Sequence, residues 1–318
     1  AGVATGNDAR NDIIVRGNSP LGVLWRLENT DIPSPNHFTV QGATGGPVSI
    51  LNNSLLASSD FLTGAFPAEF GNKMAAVFDL KLRNGNNEKM EVMSQLGLNG
   101  LEVGIEGPIS KKNGSSFLIN YRYSTLKLFQ LAGVSFGVSG LPQYQDLTFK
   151  INIPTSKAGV FTLWGIGGIS KIALLDSEKD TADWSFTDSG EDLVFGSTMG
   201  VAGLSHLFFF SDKLSGKLNL SVSGTRFNVE VDTLSANKVP YRVFTNDSKD
   251  GQYFVNYTLT NKINSHHLIK GGITAKNIFF NYRSYYWSRH NNVYIDQFKD
   301  KRDKRKKRDK KDKKDKRE

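Results

Sequence analysis

The chain has 318 residues, with 40 Lys or Arg against 31 Asp or Glu, and no cysteine, which excludes disulfides and thiol chemistry. Most of its net charge of +9 comes from residues 299–318, which hold 14 basic and 6 acidic residues; the rest of the chain has a net charge of +1. The overall basic balance therefore does not identify a partner for residues 1–298. No run of 18 apolar residues occurs, so no transmembrane helix is expected, and no signal peptide is visible at the start.

Residues 1–87 are rich in Gly, Pro and Asn and contain short β-like pieces. These pieces are IIVRGN, VLWRLENTDI, FLTGAF and AVFDLKLRNG. Between them, the segment VSILNNSLLASSDFL fits a turn or two of helix. The sequence predicts a small, separate α+β unit here.

From about residue 88 the sequence alternates with period 2. In QDLTFKINI one set of alternate residues is apolar and the other polar: Leu147, Phe149, Ile151 and Ile153 against Asp146, Thr148, Lys150 and Asn152. MEVMSQLGL, LEVGIEG, KLNLSVSG and YFVNYTLT alternate in the same way. This pattern predicts strands with one apolar and one polar face. We expect about nine or ten strands, at roughly 88–98, 101–109, 115–124, 145–154, 158–172, 195–210, 214–231, 251–262 and 266–283, with a weaker one at 285–298.

The links between these strands alternate in length. Short polar links (GPISKKNGS, PTSKAG, FSDKLSG and NKINSHH) alternate with long ones at roughly 125–144, 173–194 and 232–250. This rhythm is typical of an outer-membrane β-barrel, which has tight periplasmic turns and longer external loops. A soluble β-sandwich also alternates its strands, but it has no reason to place its long links at one end. Aromatic residues near the strand ends fit interfacial girdles: Tyr121, Tyr123, Phe208, Phe209, Phe210, Phe279, Phe280 and Tyr282.

Motifs of catalytic or metal chemistry are weak. GVSFG at 133–137 matches the nucleophile elbow but lies in a Gly-rich loop rather than at a strand-to-helix turn. GIGGIS at 165–170 lacks the Lys-Ser/Thr of a phosphate loop and sits in a predicted strand, where glycine allows close approach of backbones. His266 and His267 fit a polar turn better than a metal site. We predict no enzyme, no metal and no cofactor.

The N-terminal residues carry a family resemblance. IIVRGN, LWRLENTDIP and FLTGAFPAEFGNKMAAVFDLKLR resemble the plug domain of TonB-dependent outer-membrane receptors, with Asn29-Thr30-Asp31 in place of the usual Asp-Gly turn. EGPISKKNGSSFLINYRYS and YQDLTFKIN resemble the first barrel strands of the same family. The resemblance covers residues 1 to about 284 and is nearest to the versions of the family found in Bacteroidetes.

This resemblance implies a mostly β fold: a plug at 1–87 and an incomplete antiparallel transmembrane β-barrel at 88–298, followed by a charged low-complexity tail at 299–318. It also implies a location in the outer membrane of a Gram-negative cell, import of a scarce nutrient (metal chelate, vitamin or glycan), and energy from the inner-membrane TonB complex. The expected partners are outer-membrane lipid, that complex and a small ligand, with the intact barrel a monomer and no specific nucleic acid.

Three departures from the family pattern lead us to expect a fragment. The energy-coupling segment and the first part of the plug are not found in the chain. A barrel that holds a plug has about 22 strands, more than the chain provides. The tail has no apolar residue to enter a bilayer, so it is expected to mark where barrel sequence stops.

Two groups of residues are candidates for ligand binding. The resemblance implies that Asn36, His37 and Phe38 lie in a plug loop that faces the substrate; a Pro-rich turn with a polar tip is the alternative. Trp184 and Phe186, in the acidic loop DSEKDTADWSFTDSGED, are predicted to stack on a ligand or to cover the loop base. Arg26 and Glu28 are expected in buried ion pairs between plug and barrel.

Two other functions remain open. One is a soluble all-β binding or adhesion module with a basic tail that contacts polyanions, which predicts polar outer faces on every strand and no need for detergent. A nucleic-acid-binding protein depends on residues 299–318 alone, and its affinity would fall steeply with salt.

Overall fold

The computed structural model describes residues 2–7, 10–40, 43–97, 100–124, 126, 140–178, 190–235, 237–288 and 293–296. The predicted tail at 299–318 and the GVSFG segment therefore lie outside the described residues. Among the described residues, no helix combines the length and the apolar character needed to cross a bilayer.

The described part of residues 1–87 contains eight short strands in three small sheets. Four of them form a mixed sheet in the order β4-β3-β8-β7, in which β3 and β8 run parallel, while β1 pairs with β2 and β5 with β6. Their bounds are β1 Val3–Asn7, β2 Arg10–Val15, β3 Val23–Leu27, β4 Thr30–Asp31, β5 Asn36–His37, β6 Val48–Ser49, β7 Asp60–Leu62 and β8 Ala76–Leu80. The four predicted β-like pieces are thus confirmed as strands.

The helical segment predicted within VSILNNSLLASSDFL is a 3₁₀ helix, Asn53–Leu55. The side chain of Asn52 caps its start by accepting a hydrogen bond from the backbone N–H of Ser54 at 2.9 Å. A second 3₁₀ helix, Pro20–Gly22, precedes β3 and has proline in its first turn, where the missing N–H costs nothing.

Most of residues 91–296 form one antiparallel sheet of ten strands, which agrees with the predicted number. Each strand pairs with the next in chain order, from β9 to β18. The bounds are β9 Glu91–Gly97, β10 Gly100–Ser110, β11 Ser115–Tyr123, β12 Gln143–Pro154, β13 Val160–Leu175, β14 Glu191–Phe209, β15 Leu214–Leu234, β16 Pro240–Lys262, β17 Leu268–Ser288 and β18 Val293–Asp296.

The two faces of this sheet differ as the period-2 pattern predicts. On β12, Leu147 is 43% exposed, whereas Asp146, Thr148 and Lys150 are buried. The polar face is buried because residues 1–87 lie against it, and the apolar face points away from them. Other strands repeat the arrangement, with Leu101, Val103, Ile105, Leu220, Val222, Tyr253, Val255, Tyr257 and Leu259 exposed on the apolar face.

The predicted short links are confirmed as turns of a few residues, but one predicted long link is wrong. Most of residues 232–250 are strand, because β15 continues to Leu234 and β16 starts at Pro240. The local sequence is polar, yet the guanidinium of Arg242 binds the carboxylates of Asp232 and Glu230 across the hairpin. Opposite charges on neighbouring strands stabilise pairing that local composition does not predict.

The contact between residues 1–87 and the sheet includes an apolar cluster. Trp164, the largest fully buried side chain, lies on the inner face of β13. It belongs to a cluster with residues from both parts of the chain: Leu27, Ile32, Ile50, Leu55, Leu80, Leu82, Leu118, Ile166, Met199 and Val201. Burial of these groups provides the main non-directional attraction between the two parts.

Substitution of Leu220 by Arg tests the orientation of the sheet. Leu220 faces outward among the exposed apolar side chains of the sheet, which we call the apolar band. If this band lies in a bilayer, Arg at this position is expected to lower the free energy of unfolding by about 2–4 kcal/mol. Thr198→Arg, on the same face beyond the band, is expected to cost only about 0–1 kcal/mol. Denaturant titration in lipid vesicles measures both values, and equal, small effects would mean that this face meets water.

Candidate functional site: the interface between residues 1–87 and the sheet

The turn between β3 and β4 places a carboxylate against the sheet. Arg26 pairs with Asp31 and Leu27 with Thr30, so the two residues of the turn are Glu28 and Asn29, one position earlier than the predicted Asn29-Thr30-Asp31. Both have positive φ, 49° and 67°, as in the two-residue turns that match the twist of a hairpin. Asn accepts this conformation readily, whereas Glu does so only when its surroundings hold it there.

The surroundings of Glu28 are a buried ion pair. Its Oε1 lies 2.8 Å from Nζ of Lys150 on β12 and accepts a hydrogen bond from the backbone N–H of Leu82 at 3.0 Å. The ammonium of Lys150 also donates to the carbonyl of Leu82 at 2.6 Å. Both side chains are only 8% exposed, so each charge depends on the other. The prediction that Glu28 forms an ion pair with the barrel is confirmed.

Arg26 lies in a second group of charges, mainly inside residues 1–87. Its guanidinium contacts Glu69 at 3.1 Å and Asp79 at 3.8 Å, and Glu69 in turn binds Lys270 of β17. Partial burial raises the pKa of Glu69, but Lys270 and Arg26 outweigh this effect and hold the pKa below its usual value. The sequence predicts a direct ion pair between Arg26 and the barrel. Instead, Arg26 pairs with Glu69, and Glu69 pairs with Lys270 of the sheet.

Asp79 is the unusual acid of this group. Burial raises its pKa, although Arg26 and Lys81 oppose the shift. Its Oδ1 is buried and accepts no hydrogen bond from the described residues. Next to this group, between β3, the 67–72 segment and strands β16 and β17, lies a cavity of about 530 Å³. Lys276 and Asp31, which also line this cavity, form an ion pair at 2.5 Å.

The third polar contact is centred on His37. Its Nε2 lies 2.9 Å from Oδ2 of Asp146, and the guanidinium of Arg122 binds the same oxygen at 2.7 Å. Its ring packs on Tyr144, with ring centroids 4.9 Å apart. Burial lowers the pKa of His37, and the hydrogen bond to Asp146 opposes this only in part. The imidazole is therefore neutral near pH 7 and donates its Nε2–H to the carboxylate.

The backbone of β13 comes close to the same histidine. A Cβ at Gly168 would lie 2.4 Å from Cε1 of His37, so no larger residue fits there without a shift. Ser170, the next residue on the same face of β13, accepts a hydrogen bond from the backbone N–H of Phe38 at 3.0 Å. This explains part of the GIGGIS motif. The motif lies in a strand, as predicted, and Gly168 lacks the side chain that would clash with His37.

The predicted ligand-binding residues have two different outcomes. Asn36, His37 and Phe38 are brought together, but they are buried against the sheet rather than exposed at a loop tip. Trp184 and Phe186 lie outside the described residues. A role of these five residues in ligand binding stays a prediction.

The partners of these residues were not predicted as site residues, although the alternating pattern had placed Asp146 and Lys150 on the polar face. His266 and His267 lie in the predicted turn between β16 and β17. Within the described ranges, no group of three His, Asp or Glu side chains is arranged to hold a metal ion.

Lys150→Met tests the buried pair. Removal of the ammonium leaves the carboxylate of Glu28 buried and unpaired, which is expected to cost about 3–5 kcal/mol of stability. Adding Glu28→Gln is expected to restore most of this loss, because the amide oxygen still accepts from Leu82. Lys89→Met removes an exposed pair with Glu91 and is the control, with no measurable effect. Denaturant unfolding in detergent measures all four proteins; failure of the double variant to recover stability would contradict the ion-pair interpretation.

The buried histidine predicts a dependence on pH. Because the pKa of His37 is lowered in the folded chain, the unfolded chain binds the extra proton as the pH falls below about 6.5. Stability from this group is therefore complete above that pH and is lost progressively below it. His37→Asn is expected to flatten this part of the profile, measured as unfolding midpoints from about pH 8 to about pH 5. An unchanged slope in the variant would assign the effect to other groups.

The fold of this chain is similar to that of known outer-membrane proteins. No family model and no curated protein matches the chain. Among solved structures, it is similar to the pyoverdine outer-membrane receptor FpvA of Pseudomonas aeruginosa PAO1, with a TM-score of 0.60 and 13% identity over 91% of this chain and 44% of that chain. It is also similar to the copper transporter OprC, with a TM-score of 0.50 and 6% identity over 90% of this chain and 58% of that chain.

The chain thus spans about half the length of these two proteins. The likeness includes both the sheet and the residues that pack against its polar face, since it extends over nine-tenths of the chain. The sequence resemblance is confirmed at the level of the fold: this chain has the fold of the TonB-dependent outer-membrane receptors, a set of small sheets packed against part of a large antiparallel barrel wall.

Proposed function

We propose that this chain is part of a TonB-dependent receptor in the outer membrane of a Gram-negative cell. Residues 1–87 form its plug and residues 88–298 part of its barrel. The intact receptor binds a scarce nutrient and imports it with energy from the inner-membrane TonB complex. The observation that carries this proposal is the opposite character of the two sheet faces, with the plug on the polar face and apolar side chains exposed on the other.

The apolar face fits a bilayer better than water. Leu220, Val222, Val255 and Tyr257 all lie on it and are between 39% and 44% exposed, in one contiguous band. A soluble monomer rarely leaves such a large apolar area uncovered, because its burial is favourable. This weighs against the soluble binding module, whose strands would need polar outer faces.

The contact between plug and wall suits a part that must move. Water replaces the hydrogen bonds of Glu28, Lys150 and Asp146 when the contact opens, whereas apolar surface gains nothing from water. A pulling force on the plug would therefore meet a smaller resistance than in a wholly apolar interface. The mixed contact fits transport rather than catalysis.

The ligand class follows from the same proposal. We infer a small nutrient such as a metal chelate, a vitamin or a glycan, bound on the side of the long links between strands. FpvA was solved with pyoverdine bound, and OprC is described as a copper transporter. Asn36, His37 and Phe38, together with Trp184 and Phe186, remain our candidates for ligand contact.

Crosslinking of plug to wall tests this proposal. The hydroxyls of Thr30 and Ser221 are 2.8 Å apart, and the chain has no native cysteine, so Thr30→Cys with Ser221→Cys should form a disulfide readily. Thr30→Cys with Leu220→Cys is the matched control, because Leu220 lies one residue away on the opposite face. In outer-membrane fractions only the first pair is expected to crosslink, seen as a change in gel mobility without reductant.

The same samples test membrane insertion. The unheated chain is expected to require detergent or lipid and to migrate differently from the heated chain. A cooperatively folding monomer in detergent-free buffer would overturn the proposal. Crosslinking of both cysteine pairs, or of neither, would overturn the placement of residues 1–87 on the polar face.

A further inference from the structure

A row of glycines crosses the outward face of the sheet. Gly167 of β13 is paired with Gly200 of β14, Gly200 with Gly224 of β15, and Gly224 with Gly251 of β16. Four neighbouring strands therefore lack side chains at one level of the apolar face. The contacts of the plug do not explain this row, because it lies on the opposite side of the strands.

Three glycines of this row, Gly167, Gly200 and Gly224, form the floor of an apolar groove of about 560 Å³, and the ring of Phe279 lies over the fourth, Gly251. Its walls are large apolar side chains that stand above the floor: Tyr121, Leu147, Phe149, Ile169, Val222 and Phe279. The floor is open at Gly200, where an added Cβ would meet no atom within 4 Å. A groove of this shape on an apolar face accepts a flexible hydrocarbon chain.

The groove lies at the rim of the apolar band. From Gly251 along β16 the outward residues are apolar as far as Leu259, a length of about 27 Å, close to the height of the apolar band of outer-membrane barrels. In the other direction the next outward residues on β12, β14, β15 and β16 are polar or charged: Gln145, Thr198, Arg226 and Lys249. On β13 the next outward residue is Ile169, and Lys171 follows it. The groove thus lies just inside the hydrocarbon, on the side of the long links.

Four cations stand on the outward face beyond the groove. Arg226 and Lys249 are one outward position from the glycine row, and Lys171 and Arg283 are two positions away. All four are exposed, and one acid, Asp247, accompanies them and binds Arg226 at 2.9 Å. They extend from β13 to β17, about 19 Å at the usual strand spacing. This width exceeds one phosphate and fits a headgroup with phosphates at both ends.

We propose that the glycine groove and these four cations form a binding site for lipid A, the phosphorylated acyl lipid of the outer leaflet. One acyl chain lies over Gly167, Gly200 and Gly224, and the phosphates meet Lys171, Arg226, Lys249 and Arg283. The site rests on the proposed location in the outer membrane. It is separate from nutrient binding, because the plug and the groove are on opposite faces of the sheet.

Lipid retention by the full chain tests the site. The protein is inserted into phosphatidylcholine vesicles that contain labelled lipid A or labelled phosphatidylglycerol, extracted in mild detergent and assayed for bound label. Lys171→Gln with Lys249→Gln is expected to weaken lipid A binding about 25-fold, about fivefold for each cation. Gly200→Leu fills the groove and is expected to reduce binding without loss of folding.

Two matched controls accompany these variants. Gly271→Leu makes the same change at an outward glycine of β17 that also has open space around its Cβ but lies outside the groove. Lys213→Gln removes a cation at the opposite end of the strands, in the turn between β14 and β15. Both are expected to retain lipid A as the unaltered chain does.

The outcomes separate this site from the proposed function. Equal retention in the groove, cation and control variants would overturn the site, and so would equal binding of phosphatidylglycerol and lipid A. Heat-modifiable mobility of the same samples reports insertion. A chain that inserts but does not retain lipid A contradicts the lipid site alone, whereas a chain that fails to insert overturns both proposals.

Discussion

The structure depends on one constraint: a sheet whose polar face is buried must satisfy that face from within the chain. The ammonium of Lys150 is the clearest case. It is buried on the polar face and finds its partners, the carboxylate of Glu28 and the carbonyl of Leu82, only in residues 1–87. A buried charge without such partners costs several kcal/mol, about as much as the stability of many whole domains. The plug and this part of the wall are therefore parts of one polar network.

The other contacts follow from this pair. It fixes the turn between β3 and β4 in a conformation that Glu rarely adopts, and that turn sets the position of β3. Strand β3 carries Leu27 into the apolar cluster around Trp164, while Arg26 meets Glu69. Apolar burial supplies most of the attraction, and the charges determine where the two parts meet, since ion pairs demand a defined geometry. An interface of this mixed kind is therefore specific.

Local sequence patterns predict the strands and their two faces, but they do not identify contacts between residues that are far apart in the chain. The two faces of β12 follow from a period of two residues, which Leu147 and Asp146 show without any partner. The partner of Lys150 lies 122 positions away in the chain, and no local pattern identifies it. The polar stretch 232–250 reads as a loop because its stabilising pairs, such as Arg242 with Asp232, join two strands. The family resemblance and the Pro-rich segment predict a loop or a polar turn tip at His37, but Asp146 and Tyr144, more than 100 residues away in the chain, pack against its ring.

Two adjacent glycines of β13 lie on opposite faces of the sheet, and each leaves space on its own face. Gly167 points outward and belongs to the floor of the groove, whereas Gly168 points inward and makes room for the imidazole of His37. Since successive residues of a strand face opposite sides, two adjacent glycines leave the wall only one backbone thick at this place. A phosphate-binding loop needs glycine for the freedom of φ, but these two have ordinary strand conformations. In β13, glycine is required because a side chain would fill the space that the neighbouring groups occupy. This requirement accounts for the GIGGIS motif, which only resembles a phosphate-binding loop.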